Sequence, residues 1–550
     1  MKLGTTYFDG LLPQVAPEQL DEKHATVANN AKLVGGDLKA WSGPLAVSGV
    51  NLGTSTVRTL YRFGQSIVSD TQYWFAFPGV VNVVKGPVVD DTEERTYWTD
   101  GVYPKKTKSN LALVTPPYPS SSLRMGLPRP TATPTVTVSG TGTSGATAYS
   151  SLWVVTYVSS WGEESAPGPA SALTTWTPGQ TATVTLPPAP TGAYDIASVN
   201  LYRSTSGTTT TTYSFHSTWP IGTTSVADTT LDANLGTTIT TTTWDPPPDN
   251  MIGLTMMAGE IMAGFFGTTV CFSVPGVPYA WPGAYRQSVP STIVGICAFD
   301  NTLVVGMTRG VMFITGTDPS NMTVTPAPAE ACVSMRSMVS INSGVMWASP
   351  NGLWFAGPTG ITCVSRVAYT HDEWQALNPA SMEAYVIDGR YIASYNNGTP
   401  GTLLYTPPYV PTPYVAPGPP TIMTIDTTFD AAYVEKATDT MYIAQGNSLY
   451  KWNAGPILSY RWRSKTWDTP SWPGMAYGKV KADAYPVTFR LIADGVQRGA
   501  DITVNSALPF ALPSGRAYTY AFELAGTNRV TTAAIATNAN ELGATAQGAE

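Results

Sequence analysis

From about Met256 to Trp452 one short pattern recurs: an apolar strand, a tight polar turn and a second apolar strand. Ile293-Val-Gly-Ile-Cys-Ala-Phe299 leads through Asp300-Asn301 into Leu303-Val-Val-Gly-Met307, then through Arg309-Gly310 into Val311-Met-Phe-Ile-Thr315. Further copies run through Pro350-Asn351-Gly352 and Asp388-Gly389, and fainter ones around Tyr433, Met441 and Leu449. Gly-containing and Asp-Gly or Asn-Gly turns between β-branched and aromatic runs are the strongest local signal for a β-hairpin. Aligning the first strands at Met256, Ile296, Val339, Tyr385 and Tyr433 gives steps of 40, 43, 46 and 48 residues. A strand-only repeat of this period predicts β-propeller blades, because a lone four-stranded blade cannot bury its faces and must stack on its neighbours.

Composition agrees with a strand-and-turn chain. Only 12% of the 550 residues are charged, against about 25% in an average soluble protein. Glycine (50), proline (46) and aromatic residues (11%) fill the difference. A surface with so few charges suits burial in an assembly. No run of 18 uncharged apolar residues is present, so no membrane span is expected, and the first residues lack the apolar run of a signal peptide. The cysteines at 271, 297, 332 and 363 have no Cys-x-x-Cys pair, which argues against zinc and for buried thiols in a reducing compartment. A formal net charge of −7 gives no overall attraction for nucleic acid.

The expected fold class is all-β: a β-propeller with an inserted immunoglobulin or fibronectin type III-like β-sandwich and a small C-terminal β domain. Four segments are expected. Residues 1–130 form an N-terminal segment and a first blade, with Val57–Phe63, Tyr73–Phe77 and Val80–Val84 as its strands. Residues 131–244 form the sandwich, marked by prolines on both sides and by strands at 8 to 12 residue spacing, with Trp153 and Tyr202 as core aromatics. Residues 245–470 carry the main blades, and residues 471–550 the C-terminal β domain and tail.

Several clusters invite chemistry. Asp90, Asp91, Glu93 and Glu94 beside Tyr97 and Trp98 have the acid-and-aromatic character of a glycosidase cleft, and equally of a charged turn. His371, between Thr370 and Asp372-Glu373, is a base or ligand candidate, although Thr370 capping a short helix explains the same residues. Neither cluster has a second element to complete a site, so no catalytic residue, metal or cofactor is expected. Lys105, Lys106 and Lys108 form one cationic group. In Ser459–Trp467 cations alternate with aromatics, so a strand would send Arg461, Arg463 and Lys465 to one face. Both groups are candidate channel or subunit contacts. Tyr279 and Trp281 on a connection between blades, and Tyr409 and Tyr414 in the proline-rich passage 405–420, are candidate partner-contact aromatics, although a buried Trp pinning the connection and a plain linker explain the two passages equally well.

The segments Val88–Trp98, Ser160–Pro167, Val270-Cys-Phe-Ser273, Tyr279-Ala-Trp-Pro282, Ala331-Cys-Val-Ser334, Trp462-Arg-Ser-Lys465 and Leu512–Arg516 together resemble the nozzle, or tail tubular, proteins of short-tailed bacteriophages. The resemblance implies a non-enzymatic virion subunit in the phage tail, made in the host cytoplasm. It further implies a homo-oligomeric ring, commonly a hexamer, below the portal and adaptor, which docks tail fibre or spike proteins and encloses the channel for double-stranded DNA. The modest length departs from larger members and leaves extra docking domains in doubt. The alternative is a tail-associated glycan depolymerase or a receptor-binding module.

Overall fold

Tight two-residue turns set the register of the hairpins. At Asp388-Gly389 both residues have positive φ (51° and 67°), and Ile387 pairs directly with Arg390. Asp494-Gly495 repeats the arrangement between Ala493 and Val496. Turns with two left-handed residues match the right-handed twist of the strands they join, and only Gly, Asn and Asp adopt that backbone readily. The computed structural model describes residues 1–64, 68–205, 211–341, 344–358, 360–407 and 420–543. The passage holding Tyr409 and Tyr414 lies outside them.

The protein is all-β and divides into two units, Met1–Gly79 with Val304–Met312 and Pro326–Glu550, and Val80–Leu303 with Phe313–Thr325. In the first unit the strands Val339–Ile341, Gly344–Ser349, Gly352–Gly357 and Gly360–Cys363 form one four-stranded meander. Glu383–Ile387, Arg390–Asn396, Pro400–Thr406 and Thr421–Ile425 follow in the same order. Ala431–Glu435, Thr440–Gln445 and Ser448–Lys451 form the next, whose outer strand is Leu45–Ala46 from the other end of the chain. The first strands of these sheets pack on one another in succession, and Ala431–Glu435 packs in turn on Thr59–Arg62. Meanders stacked through their innermost strands are propeller blades.

In the second unit the meander Ile252–Met257, Ile261–Phe266, Thr269–Phe272 and Gln287–Ser288 packs through its first strand on Asn82–Lys85 and on Ile293–Phe299. The five alignment positions thus fall in first strands, from Ile252–Met257 to Ala431–Glu435. The early blade differs from expectation. Among the described residues Thr59–Arg62 forms a two-stranded sheet with Trp74–Phe77, and Asn82–Lys85 starts a separate sheet with Thr96–Thr99, Lys105–Thr107 and Leu123–Arg124. Pro78-Gly79 breaks the chain between them, so the acidic and lysine clusters belong to blade strands and turns.

Within residues 131–244, two three-stranded antiparallel sheets face each other: Thr135–Ser139, Thr181–Thr185 and Ser225–Asp228 against Trp153–Ser159, Ile196–Ser204 and Tyr213–Pro220. Trp153, Val155, Tyr157, Val184, Leu201 and Val226 fill the space between them. Tyr202 does not join this core. The period of two along its strand turns it to the opposite face, where it packs with Val154 and Ile239. Arg203, fully buried, is held by Asp228 (2.8 Å) and Asp232 (2.8 Å) and lies 5.1 Å from the Trp176 ring.

The C-terminal strands build their sheets with N-terminal partners. Val530–Ala536 pairs with Lys2–Thr5, Tyr477–Ala482 and Asp37–Ala40. Thr519–Gly526 lies between Val487–Ala493 and Tyr460–Arg463, and the latter pairs with Val27–Asn29. Phe8, Trp41, Trp462, Phe489 and Phe522 close over one core. Segment 471–550 expressed alone therefore lacks the strands that cover its edges and its apolar face. It is expected to show no cooperative thermal unfolding by circular dichroism, and a sharp melt from the isolated segment would contradict this.

Candidate functional site

Period-two alternation divides strand Tyr460–Arg463 cleanly. Tyr460 and Trp462 are fully buried, and Trp462 lies 4.8 Å from Phe8 and 6.2 Å from Phe522 by ring centroids. Arg461 and Arg463 stand on the opposite face with side chains 49% and 38% exposed. In the register, Arg463 and Arg490 flank Glu523 directly from the two neighbouring strands. Glu523 is 1% exposed and gathers all three guanidinium groups. Arg461 donates through Nε (3.1 Å) and Nη2 (3.2 Å), Arg463 through Nε (3.0 Å), and Arg490 through Nη1 (2.6 Å). Arg490 also forks onto Asp501, at 2.9 and 2.8 Å. Three cations and two carboxylates leave this sheet face with a formal charge of +1.

Burial by itself would raise the Glu523 carboxyl. Hydrogen bonds from Arg461, Arg490 and Arg463 outweigh it and hold the group below its ordinary range. The guanidiniums are thereby fixed in the plane of a rigid sheet while their outer edges stay in water. Such an array meets phosphate or carboxylate groups on a partner without first ordering flexible side chains. Lys465 lies beyond the strand, which ends at Arg463, so strand alternation does not place it on this face, and it forms no ion pair among the described residues.

The other cations expected to line a channel or an interface are engaged within their own unit. Lys106 is fully buried, ion-paired with Glu163, and its Nζ sits 4.3 Å from the Trp161 ring, so it faces no channel. Burial raises the Glu163 carboxyl against the pull of Lys106. Lys105 pairs with Asp100 (2.5 Å) and Lys108 with Glu93 (2.6 Å). Trp281 is 1% exposed and donates its indole N–H to the Pro278 carbonyl (2.8 Å), so it pins the connection from inside and presents no contact surface. Tyr279 is half-buried beside Trp244, with its phenol pushed up to about 12 by burial.

The clusters read as possible chemistry also resolve into structure. The Asp91 carboxylate accepts from the backbone N–H of Glu93 (3.1 Å) and of Arg95 (3.0 Å), and Asp90 and Glu94 occupy left-handed turn positions. Thr370 and Glu373 form a reciprocal capping box on the helix His371–Gln375, and the His371 ring meets Asn351 (2.7 Å). None of the four cysteines is in a disulfide, and burial pushes Cys271 up to about 11 and Cys332 to about 12. No helix among the described residues is long and apolar enough to cross a membrane. Sequence reasoning missed Glu523 and Arg490. The available signal was a single charge inside each of two apolar strands, Tyr-Ala-Phe-Glu-Leu and Val-Thr-Phe-Arg-Leu.

No protein-family model matches the chain, and no curated protein matches its sequence. Similar solved structures include the extracellular domain of BT4673 from B. thetaiotaomicron, at 9% identity and a TM-score of 0.29 over 85% of this chain. The chain spans about half of that structure, 47% of its length. A streptogramin B lyase is similar at 10% identity and a TM-score of 0.26, over 68% of this chain and 97% of the lyase. PorZ of Porphyromonas gingivalis is similar at 10% identity and a TM-score of 0.25, over 88% and 82%. These superpositions are too loose to transfer a function.

Replacing the central carboxylate tests the arginine array. Glu523→Gln is expected to cost about 2 kcal/mol at neutral pH, the lower part of the range for charged hydrogen bonds, because Arg461 and Arg463 are partly solvated. The folded carboxyl lies below its reference value of 4.5, so its contribution is present above pH 4.5 and lost as pH falls through the folded value. Urea denaturation should show an acid limb in the natural protein that flattens in the variant, and identical limbs would contradict the assignment.

Proposed function

We propose that this chain is a structural, non-enzymatic subunit of a short-tailed phage tail. In this reading it is a nozzle or tail tube protein that assembles into a homo-oligomeric ring, commonly of six copies, around the DNA ejection channel. The ring docks the portal and adaptor above and fibre or spike proteins around it. The observation that carries the reading is the sheet face of Arg461, Arg463 and Arg490, ordered by Glu523 and Asp501 and left at a formal charge of +1.

A conduit must keep DNA in line without adsorbing it. Each phosphate neutralised by an unpaired cation adds salt-dependent affinity and slows passage. Guanidiniums already bound to carboxylates keep direction and lose most of their net charge, so they attract a phosphate weakly. The same face suits contact with an acidic edge of a neighbouring copy, because a planar guanidinium can bridge two carboxylates. The chain as a whole, at a formal −7, repels DNA at long range.

Native mass measurement of the purified full-length chain, followed by imaging of the particles, tests the reading. A closed ring of about six copies is expected, and a protein that stays monomeric at all concentrations would overturn it. Combined Arg461→Gln and Arg463→Gln leaves Arg490 on Glu523. It should lower ring yield or slow DNA ejection in particles while the protomer still melts cooperatively. Unchanged assembly and unchanged ejection would show that the face is idle.

A further inference from the structure

A cleft of about 160 Å³ lies wholly within the second unit, between the turn after Asn82–Lys85, the loop at Trp161 and the connection at Tyr279. Its polar lining is incompletely satisfied. The buried Nε of Arg95 has no hydrogen-bond partner and stands 4.0 Å from the Asp91 carboxylate. Tyr97 is 2% exposed, and no hydrogen bond to its hydroxyl occurs among the described residues. Glu163 gives one carboxylate oxygen to Lys106, and the other accepts no hydrogen bond among the described residues. Of these, Arg95 Nε is a buried atom without a hydrogen-bond partner, and such atoms are uncommon and mark places where water or a ligand completes the structure.

The rest of the lining is flat and apolar: the Trp161 indole, the Tyr279 ring and Pro278. Charge narrows the class of ligand. Arg95 and Lys106 balance Asp91 and Glu163, so neither an anion nor a cation is favoured. A purely apolar guest would leave the polar groups unpaired at the full cost of their desolvation. A neutral ring with hydroxyls on its rim and C–H groups on its faces meets both requirements. The volume is below the roughly 300–1,000 Å³ of sites for drug-sized ligands, so it admits one small ring and not a chain.

We propose that this cleft, with Arg95, Tyr97 and Glu163 as polar contacts and Trp161 as a stacking wall, binds a single neutral pyranose unit, such as the end residue of a glycan. It binds without cleaving. Asp91 is committed to backbone N–H groups and Glu163 to Lys106, so no pair of free carboxylates flanks the site as glycoside hydrolysis requires.

The test is titration of the full-length protein with methyl glycosides of neutral hexoses and N-acetylhexosamines, read by tryptophan fluorescence and saturation-transfer NMR. Glucuronate and glucosamine serve as charged controls. At least one neutral glycoside is expected to saturate the protein at millimolar concentration, and the charged controls to bind more weakly. Tyr97→Phe keeps the core ring and removes one hydroxyl. It should weaken binding about fivefold with an unchanged melting temperature, and Trp161→Ala should abolish binding. No saturable neutral glycoside, binding that survives both substitutions, or preference for a charged sugar would each overturn the proposal, as would a crystal soaked with the glycosides that holds only water in the cleft. A monomer that binds the glycoside would remove the ring reading above and leave this one standing.

Discussion

The first unit depends on strands from the start of the chain being inserted among strands from its end. Val27–Asn29 fills a gap between Thr421–Ile425, to which it is parallel, and Tyr460–Arg463, to which it is antiparallel. Leu45–Ala46 completes the sheet of Ser448–Lys451. Without the first insertion a blade and the C-terminal sheet would both end in unpaired edges, each a row of unsatisfied N–H and C=O groups. The corner is held by side chains as well. Asn30, at φ +53°, exchanges hydrogen bonds with Asp426, donating at 2.7 Å and receiving its backbone N–H at 2.9 Å. Closing loops of some four hundred residues costs entropy that grows only slowly with length, and the shared aromatic core of Phe8, Trp462 and Phe522 offsets it. The penalty falls on the folding rate, which is set by contacts of high sequence separation.

That dependence explains what could be read from residues alone. Hairpins are local, so Asp388-Gly389 and the first strands from Ile252 to Glu435 declared themselves through turn chemistry and alternation. The alternation in Tyr460–Arg463 likewise separated the buried aromatics from the arginines. Strand pairing between distant segments leaves no such trace. Leu45–Ala46 is two residues long and unremarkable in sequence, and Glu523 reads as a stray charge until Arg463 and Arg490 come up on either side. Proximity in sequence also misled. Val80–Val84 sits next to Trp74–Phe77 in the chain and belongs to another sheet. For Trp281 the residues left a partner contact and a buried pin equally open, and the buried indole that donates to the Pro278 carbonyl is the pin.

With so few charges, the protein uses each buried one against a specific partner, and the same residue type takes opposite characters. Glu523 is held below its ordinary range because three guanidiniums bond it on an open sheet face. Glu163 and Glu383 are pushed up, because burial costs more than Lys106, or Arg336 with Arg58, returns. Such buried pairs contribute little to stability against an apolar replacement, and removing one partner is expensive. Their role here is geometric: they fix which face of a strand looks inward and leave neighbouring atoms with defined unmet bonds.

The surroundings of Glu523 and Glu163 show that difference. On the arginine face the carboxylate is saturated, so the unmet donors are the outer edges of guanidiniums in water, suited to weak contact with extended anionic surfaces. In the cleft the single lysine satisfies only one oxygen of Glu163, and the unmet groups point into a small walled space, suited to one neutral ring. The two surroundings thus differ in one variable, the number of cations gathered around a buried glutamate: three at Glu523 and one at Glu163.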